Sequence, residues 1–334
     1  MSSTAEALEA AQAAAQAAAG GAAQAAAGGA AQATAQAAPA AGRPVPAAGA
    51  GPAVPAAARP VPAAGAEPAV RLRGARLAFG RRVLWDGLDL DVAPGEFLAV
   101  LGPNGSGKTS LLRVLLGMLP LNAGTAEIAG GPVRRGSPRL GYVPQQKPLD
   151  QQLPLRGRDL VRLGLDGHRW GITAIRRAGW RDRRRLVAEA LDAVGATGYA
   201  GVPVGRLSGG EQQRLRVAQA LVGDPSVLLC DEPLLSLDLA HQRAVASLID
   251  ARRRQHGTTV LFVTHEINPI LPFVDRVLYL VDGRFRIGAP DEVMSSATLS
   301  QLYQTQVDVL RIRGRIIVVG GQDDADAHHV EDPP

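Results

Sequence analysis

Cysteine is almost missing from this sequence. Cys230 is the single one in 334 residues, which excludes a disulfide framework and a cysteine-rich zinc site. Lysine is nearly as scarce: of 36 basic residues only Lys108 and Lys147 are lysine, leaving 34 arginines. Aromatic residues make up 4%, so nucleic-acid bases would find few stacking platforms despite the net charge of +5. With so much Ala, Gly and Pro, the arginine excess reads as coding bias rather than a nucleic-acid surface. No run approaches 18 apolar residues, which excludes a transmembrane helix. The N-terminus lacks a basic start followed by a leucine-rich core, so no secretory signal is read there. These absences point to a cytoplasmic protein.

Large apolar residues are also missing from the first 70 positions, which run from AAQAAAQAAAGG to VPAA-type repeats. Such a stretch cannot bury enough surface to offset its ordering entropy, so residues 1–68 read as a disordered Ala/Gly/Pro-rich tail. Glu6, Glu9, Arg43, Arg59 and Glu67 give the first 70 residues −1 against a chain total of +5, so the remaining 264 carry +6. That remainder is long enough for one large domain with a substantial core.

Folding signals begin near Val70. VRLRGARLAFG and RRVLWDGLDLDV alternate with period two and predict short antiparallel strands. EFLAVLG predicts a buried strand, and SLLRVLLGML a helix. Residues from Gly141 to about Gly205 carry mostly helical patterning. LSGGEQQRLRVAQALV and LAHQRAVASLIDARRRQ predict helices, and SVLLC and TTVLFVTH predict buried strands. Continuous apolar strands alternating with helices imply an α/β fold with a mainly parallel sheet. VDVLRIRGRIIVV predicts a hairpin around Arg313-Gly314, and DDADAHHVEDPP an acidic, disordered end.

Three motifs carry chemistry. Gly102-Pro103-Asn104-Gly105-Ser106-Gly107-Lys108-Thr109, followed by Ser110, sits between the apolar strand and the leucine-rich helix. Glycines there let backbone N–H groups approach phosphate oxygens, the helix start presents its positive end, Lys108 reaches the β- and γ-phosphates, and Thr109 offers a hydroxyl to Mg²⁺. Val227-Leu228-Leu229-Cys230-Asp231-Glu232 is an apolar strand ending in two carboxylates. Asp231 suits the Mg²⁺ shell and Glu232 the attacking water. Leu207-Ser208-Gly209-Gly210-Glu211-Gln212-Gln213 opens a helix, and Ser208 with Glu211 forms a capping box, itself an anion-friendly helix start.

Taken in order with Ser236-Leu237-Asp238 and the lone His265 after a second strand, these motifs resemble the nucleotide-binding subunit of ATP-binding cassette (ABC) transporters over about residues 71–295. The resemblance implies an ABC-type P-loop ATPase domain at 69–295, with a helical subdomain near 146–222, an antiparallel β subdomain and a C-terminal extension at 296–320. It implies that Phe79 stacks on adenine, although a core strand residue is an equal reading of that position. It implies that Gln145, or its neighbour Gln146, touches Mg²⁺ and the attacking water, and that His265 contacts the γ-phosphate. Ser208, Gly209, Gly210 and Glu211 would meet the γ-phosphate held by an opposite subunit, and Asp238 would lie at that interface. The implied partners are ATP with Mg²⁺, a second copy of the chain, separate membrane-spanning permease subunits and an extracytoplasmic substrate-binding protein, with the subunit held at the cytoplasmic face of the membrane.

The segments Glu266 to Leu280 and Asp231 to Gln242 look like the zinc/manganese/iron importer branch. Import of another solute, such as a siderophore or cobalamin, or export, is the alternative. A soluble ABC protein acting on nucleic acid or ribosomes fits less well, since one cassette, no sustained heptads and one cysteine are present. Cys230 reads as a packing residue. His328-His329, among acidic neighbours, reads as a solvated tail rather than a metal site. Arginines 176, 177, 181, 183, 184 and 185 read as a solvated helical face, with anionic lipid the sharper alternative.

Overall fold

The computed structural model describes residues 67–145, 154–166, 180–235 and 237–320. The two disordered tails expected at 1–68 and 321–334 lie outside those residues except for Glu67 and Pro68, as do His328, His329, Gln146, Ser236, Arg176, Arg177 and the Arg181 side chain.

Strands β1 (Val70–Phe79) and β2 (Arg82–Val92) pair antiparallel, as their alternation predicts. On its other edge β1 pairs with β4 (Ala123–Ile128), which pairs with β5 (Gly131–Pro132), giving a four-stranded antiparallel sheet ordered β2-β1-β4-β5.

A second sheet is ordered β10-β9-β3-β8-β7-β6. Its members are β3 (Phe97–Leu101), β6 (Leu140–Val143), β7 (Val227–Asp231), β8 (Thr259–Val263), β9 (Arg276–Val281) and β10 (Arg284–Gly288). All neighbours are parallel except β10, which returns antiparallel on β9. Every residue of β3, β7 and β8 is buried, which is why these strands read as unbroken apolar runs. The pleat divides them between two cores. Phe97, Ala99, Leu228, Cys230 and Phe262 face one, with the Phe97 and Phe262 rings 5.6 Å apart between centroids. Leu98, Val100, Leu229, Leu261 and Leu278 face the other, shared with Trp85, Leu88 and Leu90 of the antiparallel sheet. Each fully buried Leu or Phe contributes about 1.5–3 kcal/mol.

Helix α1 (Lys108–Leu115) packs Leu111, Leu112 and Leu115 into the second core. The first core is covered by α2 (Gly157–Asp166), α3 (Trp180–Ala193), α4 (Gly209–Leu221) and α5 (Leu239–His256). Helix α5 ends on Gly257 at φ 64°, with Arg253, Arg254 and His256 in its last turn, where cations suit the helix dipole. Arg253 is itself buried. It pairs with Asp250 at 2.9 Å and Asp275 at 2.8 Å and donates to the Gly95 carbonyl, while Asp275 accepts from the Phe97 amide. This knot fixes the entry of β3, the strand that delivers the phosphate loop.

Short helices α6 (Pro290–Val293) and α7 (Ser296–Tyr303) lead to β11 (Val307–Ile312) and β12 (Arg315–Gly320). That hairpin turns at Arg313 (φ 50°) and Gly314 (φ 74°), the two positive φ values a tight two-residue hairpin turn uses. Among the described residues no helix is long and apolar enough to cross a membrane.

Candidate functional site

The phosphate loop leaves β3 at Leu101 and enters α1 at Lys108, so the sheet fixes where the loop opens. Gly102 has φ 139°, and a Cβ there would meet the Leu280 carbonyl oxygen at 2.0 Å, so glycine is required for the loop to pass β9. Helix α1 has no side-chain cap at Gly107, which leaves its first backbone N–H groups for an anion. Lys108 Nζ donates to the Gly102 and Pro103 carbonyls at 2.7 and 2.8 Å, and one of its three N–H donors remains for a phosphate oxygen. Burial lowers the Lys108 pKa, opposed by the nearby Glu232 and Asp231 carboxylates. Ser106 Oγ is buried without a partner within the described residues.

The second acidic site meets this loop directly. Thr109 Oγ1 donates to Asp231 Oδ1 at 3.0 Å across 122 residues of sequence, and Tyr142 of β6 donates to Oδ2 at 3.4 Å. Asp231 is 3% exposed, and burial raises its pKa, with the Thr109 hydrogen bond acting the other way. Burial also raises the Tyr142 phenol, to about 12, so it stays a donor. A hydroxyl and a carboxylate side by side are the oxygen donors that a hard cation such as Mg²⁺ takes. Cys230, fully buried, has a thiol pushed up by burial and serves packing.

Glu232 follows in the left-handed region at φ 45°, a strained backbone for a non-glycine residue that occurs mainly where a site demands it. Its amide donates to the Val263 carbonyl at 3.0 Å, tying the turn to β8. Gln145 Nε2 donates to Glu232 Oε2 at 3.4 Å, and His265 Nδ1 stands 3.7 Å from the same oxygen. The phosphate loop, Gln145, Glu232 and His265 together wall a cleft of about 680 Å³. Thus Lys108, Thr109, Ser110, Gln145, Glu232 and His265, scattered over more than 150 positions, line one cleft, with buried Asp231 bonded to Thr109.

Other expected residues stand apart from the cleft wall. Phe79 closes β1 and is 52% exposed, which rules out the core reading and leaves its ring open to a ligand. Ser208 caps α4: its Oγ accepts from the Glu211 amide at 3.3 Å, and Glu211 Oε2 accepts from the Ser208 amide at 2.9 Å. Gly209 follows in the first turn. Gly210 lies against the His241 ring, since a Cβ there would meet His241 Cδ2 at 2.7 Å. His241 in turn donates its amide to Asp238, the cap of α5, at 2.9 Å, and this backbone bond first and the His241 side chain second lower the Asp238 pKa. Gly210, buried against His241, thus links the start of α4 to Asp238, and none of Ser208, Gly209, Gly210, Glu211 and Asp238 lines this cleft.

Two residues went unread in the sequence. Tyr142 lies in the same GYVPQQ segment as Gln145, and a polar phenol in a half-buried edge strand was its available signal. Arg82, donating to the Gly105 carbonyl at 3.0 Å, gave none, because its neighbour in space lies 23 positions away.

Comparison with known proteins agrees with this geometry. Residues 85–235 match the family model described as ABC transporter. The zinc import ATP-binding protein ZnuC of Paramagnetospirillum magneticum is 38% identical over 67% of this chain and 78% of that protein. The manganese transport system ATP-binding protein MntB of Halalkalibacterium halodurans is 32% identical over 68% and 88%, and the hemin import ATP-binding protein HmuV of Streptomyces coelicolor 36% over 71% and 83%. Among solved structures, a chain of an inward-facing transporter assigned to the metal-chelate type superposes with a TM-score of 0.63 at 25% identity, covering 75% of this chain and 96% of that one. The protein is therefore a member of the ATP-binding cassette family, an ATP-binding subunit of an ABC transporter that couples ATP hydrolysis to transport.

Proposed function

We propose that this subunit drives import of a divalent metal ion, zinc or manganese, by hydrolysing ATP with Mg²⁺ between two copies of itself. The observation that carries the hydrolytic part is the single cleft holding Lys108, Thr109, Glu232, Gln145 and His265, with Asp231 behind it. Lys108 and the α1 N-terminus hold the phosphates. Thr109 and Asp231 would hold Mg²⁺, which neutralises phosphate charge when bound. Glu232, with Gln145 beside it, orients the attacking water and takes its proton, and His265 contacts the γ-phosphate. Phe79 stacks on the adenine. Domain limits follow the same reading: the ATPase domain spans 69–295, its helical subdomain about 146–222, and 296–320 is an extension.

The head-to-tail pairing is supported by what the cleft lacks. Ser208 to Glu211 form a capped, glycine-rich helix start that does not line the cleft walled by their own phosphate loop, so a second copy is the phosphate donor that suits them. Asp238 flanks them through His241 and joins that interface. The permease is a separate membrane-spanning chain, the substrate reaches it from an extracytoplasmic binding protein, and the subunit works at the cytoplasmic face of the membrane.

The choice of cargo rests on relatives whose names specify zinc or manganese. A metal chelate is the second reading, favoured by the 36% identity to the hemin import protein. Cellular Zn, Mn and Fe in a strain lacking the gene, restored with the native chain or Glu232→Gln, test the assignment. One metal falls in the deletion and recovers only with the native chain. If all three metals stay at native levels under metal limitation, the metal-ion reading is contradicted.

A further inference from the structure

His265 is held in place by surprisingly little of its own. Its side chain is half-exposed, and its approach to Glu232, at 3.7 Å, is too long for a hydrogen bond. Behind it lies open space rather than packing. His265 lines both the nucleotide cleft and a second cavity of about 340 Å³, whose other walls include Gly102, Pro103, Asn268, Ile316 and Val318. The backbone must therefore set where the imidazole stands.

Two fixings bracket that backbone. On one side, Thr264 N donates to the Val100 carbonyl at 3.2 Å, and Thr264 Oγ1 closes a local turn by donating to the Glu266 carbonyl and accepting from its amide. On the other side, the Asn268 amide grips the backbone of β12 at both ends: Nδ2 donates to the Ile316 carbonyl at 2.9 Å, and the Ile316 amide donates to Oδ1 at 2.8 Å. The hairpin it grips is seated mainly through the partner strand. In β12 only Ile316 is buried; in β11 Val307 is buried, Ser300 Oγ accepts from the Val307 amide at 2.9 Å, Ser296 Oγ accepts from the Val309 amide at 2.8 Å, Arg311 pairs with Asp291 at 2.8 Å, and β11 holds β12 by antiparallel pairing.

We propose that Asn268 is a positioning residue for His265, transmitting the fixed position of the C-terminal hairpin to the histidine three residues earlier. It touches neither nucleotide nor water. It sets the distance from the imidazole to the γ-phosphate because no packed side chain behind His265 does so. The proposal rests on the reading of His265 as a γ-phosphate contact. A two-point amide bond to backbone is geometrically demanding, and displacement of a reacting group by about 1 Å can cost up to about 10²-fold.

A double-mutant cycle in the full chain tests it: native, Asn268→Ala, His265→Ala and the pair, each assayed for kcat, with ATP affinity measured on the Glu232→Gln background so that nucleotide is not consumed. Asn268→Ala lowers kcat about tenfold, or about 1.4 kcal/mol, with ATP affinity within about twofold of native. Added to His265→Ala it costs nothing further, because the group it positions is gone. Additive losses, an unchanged kcat, or a loss of ATP affinity matching the loss in kcat overturn the proposal. Native kcat in His265→Ala alone overturns the reading of His265 itself, and that arm separates the two failures. If Asn268→Ala does not fold, Asn268→Asp, which keeps the acceptor for the Ile316 amide but loses the donor, enters the same cycle with the same expectations.

Discussion

Substituting Gly102 with alanine separates the phosphate loop's backbone requirement from its chemistry. The added Cβ would lie 2.0 Å from the Leu280 carbonyl oxygen and 2.9 Å from Ser106 Oγ, and the residue sits at φ 139°. The close neighbour is backbone of a central strand, so it cannot swing away. Overpacking of this kind costs about 1–3 kcal/mol, and the disallowed φ adds about 1–3 kcal/mol. We therefore expect Gly102→Ala to lose about 2–6 kcal/mol in total, a drop in Tm of about 4–24 °C for a domain of this size. Gly105→Ala is the control. Its Cβ meets only the far end of the Arg82 side chain, at 3.0 Å, so the left-handed φ of 79° is the main cost, about 1–2 kcal/mol. Thermal unfolding without nucleotide reads both. A Gly102→Ala protein within about 2 °C of native, or equal losses in the two variants, would refute the reasoning that β9 dictates the loop's first glycine.

Asp231→Asn gives a prediction with a definite sign. Burial raises the Asp231 pKa, so between its unfolded and folded values the native state binds more protons than the unfolded chain. Stability then falls as pH rises through that window, and the cost is fully present above the folded-state pKa. Asp231→Asn removes it: Tm without nucleotide rises above native at pH 7–8, that gain shrinks towards zero as the pH falls through the carboxyl's window, and MgATP hydrolysis falls at least about 10²-fold. A lowered Tm at neutral pH counts against the assignment. Arg253→Met takes the buried cation from between Asp250, which keeps Arg254 at 2.8 Å, and Asp275, and costs about 3–5 kcal/mol, whereas Arg185→Ala removes an exposed i,i+4 pair with Glu189 and shifts stability by less than about 0.5 kcal/mol; denaturant titration compares them.

What the sequence reveals here depends on whether the signal is local. β3, β7 and β8 were legible because strands buried on both faces must be apolar throughout, and the hairpin turn because Arg313-Gly314 interrupts two alternating runs. The phosphate loop and the α4 capping box were legible because their geometry closes within a few residues. By contrast β4 (AGTAEI) is mostly exposed or half-buried and contains a glycine; it is a strand because β1 lies beside it. β6, four residues long, hid at the start of a stretch read as helical. β10 and the short helices α6 and α7 carry too few residues to show a period. Phe79 could not be settled from its pattern, since an alternating strand's last aromatic can face inward or outward; the structure turns it outward. The contacts of Tyr142 with Asp231, Asn268 with Ile316 and Arg253 with Asp275 join distant positions and leave no local trace.

The central claim is that ATP is hydrolysed at an interface completed by a second copy of the chain. Sedimentation of the Glu232→Gln protein with MgATP tests it most directly, because on the role proposed for Glu232 that variant would hold the nucleotide without consuming it. We predict a monomer without nucleotide, a dimer with MgATP, and a return to monomer when Ser208→Arg is added to block the α4 N-terminus. A chain that binds MgATP yet stays monomeric, or a dimer indifferent to Ser208→Arg, would contradict the account.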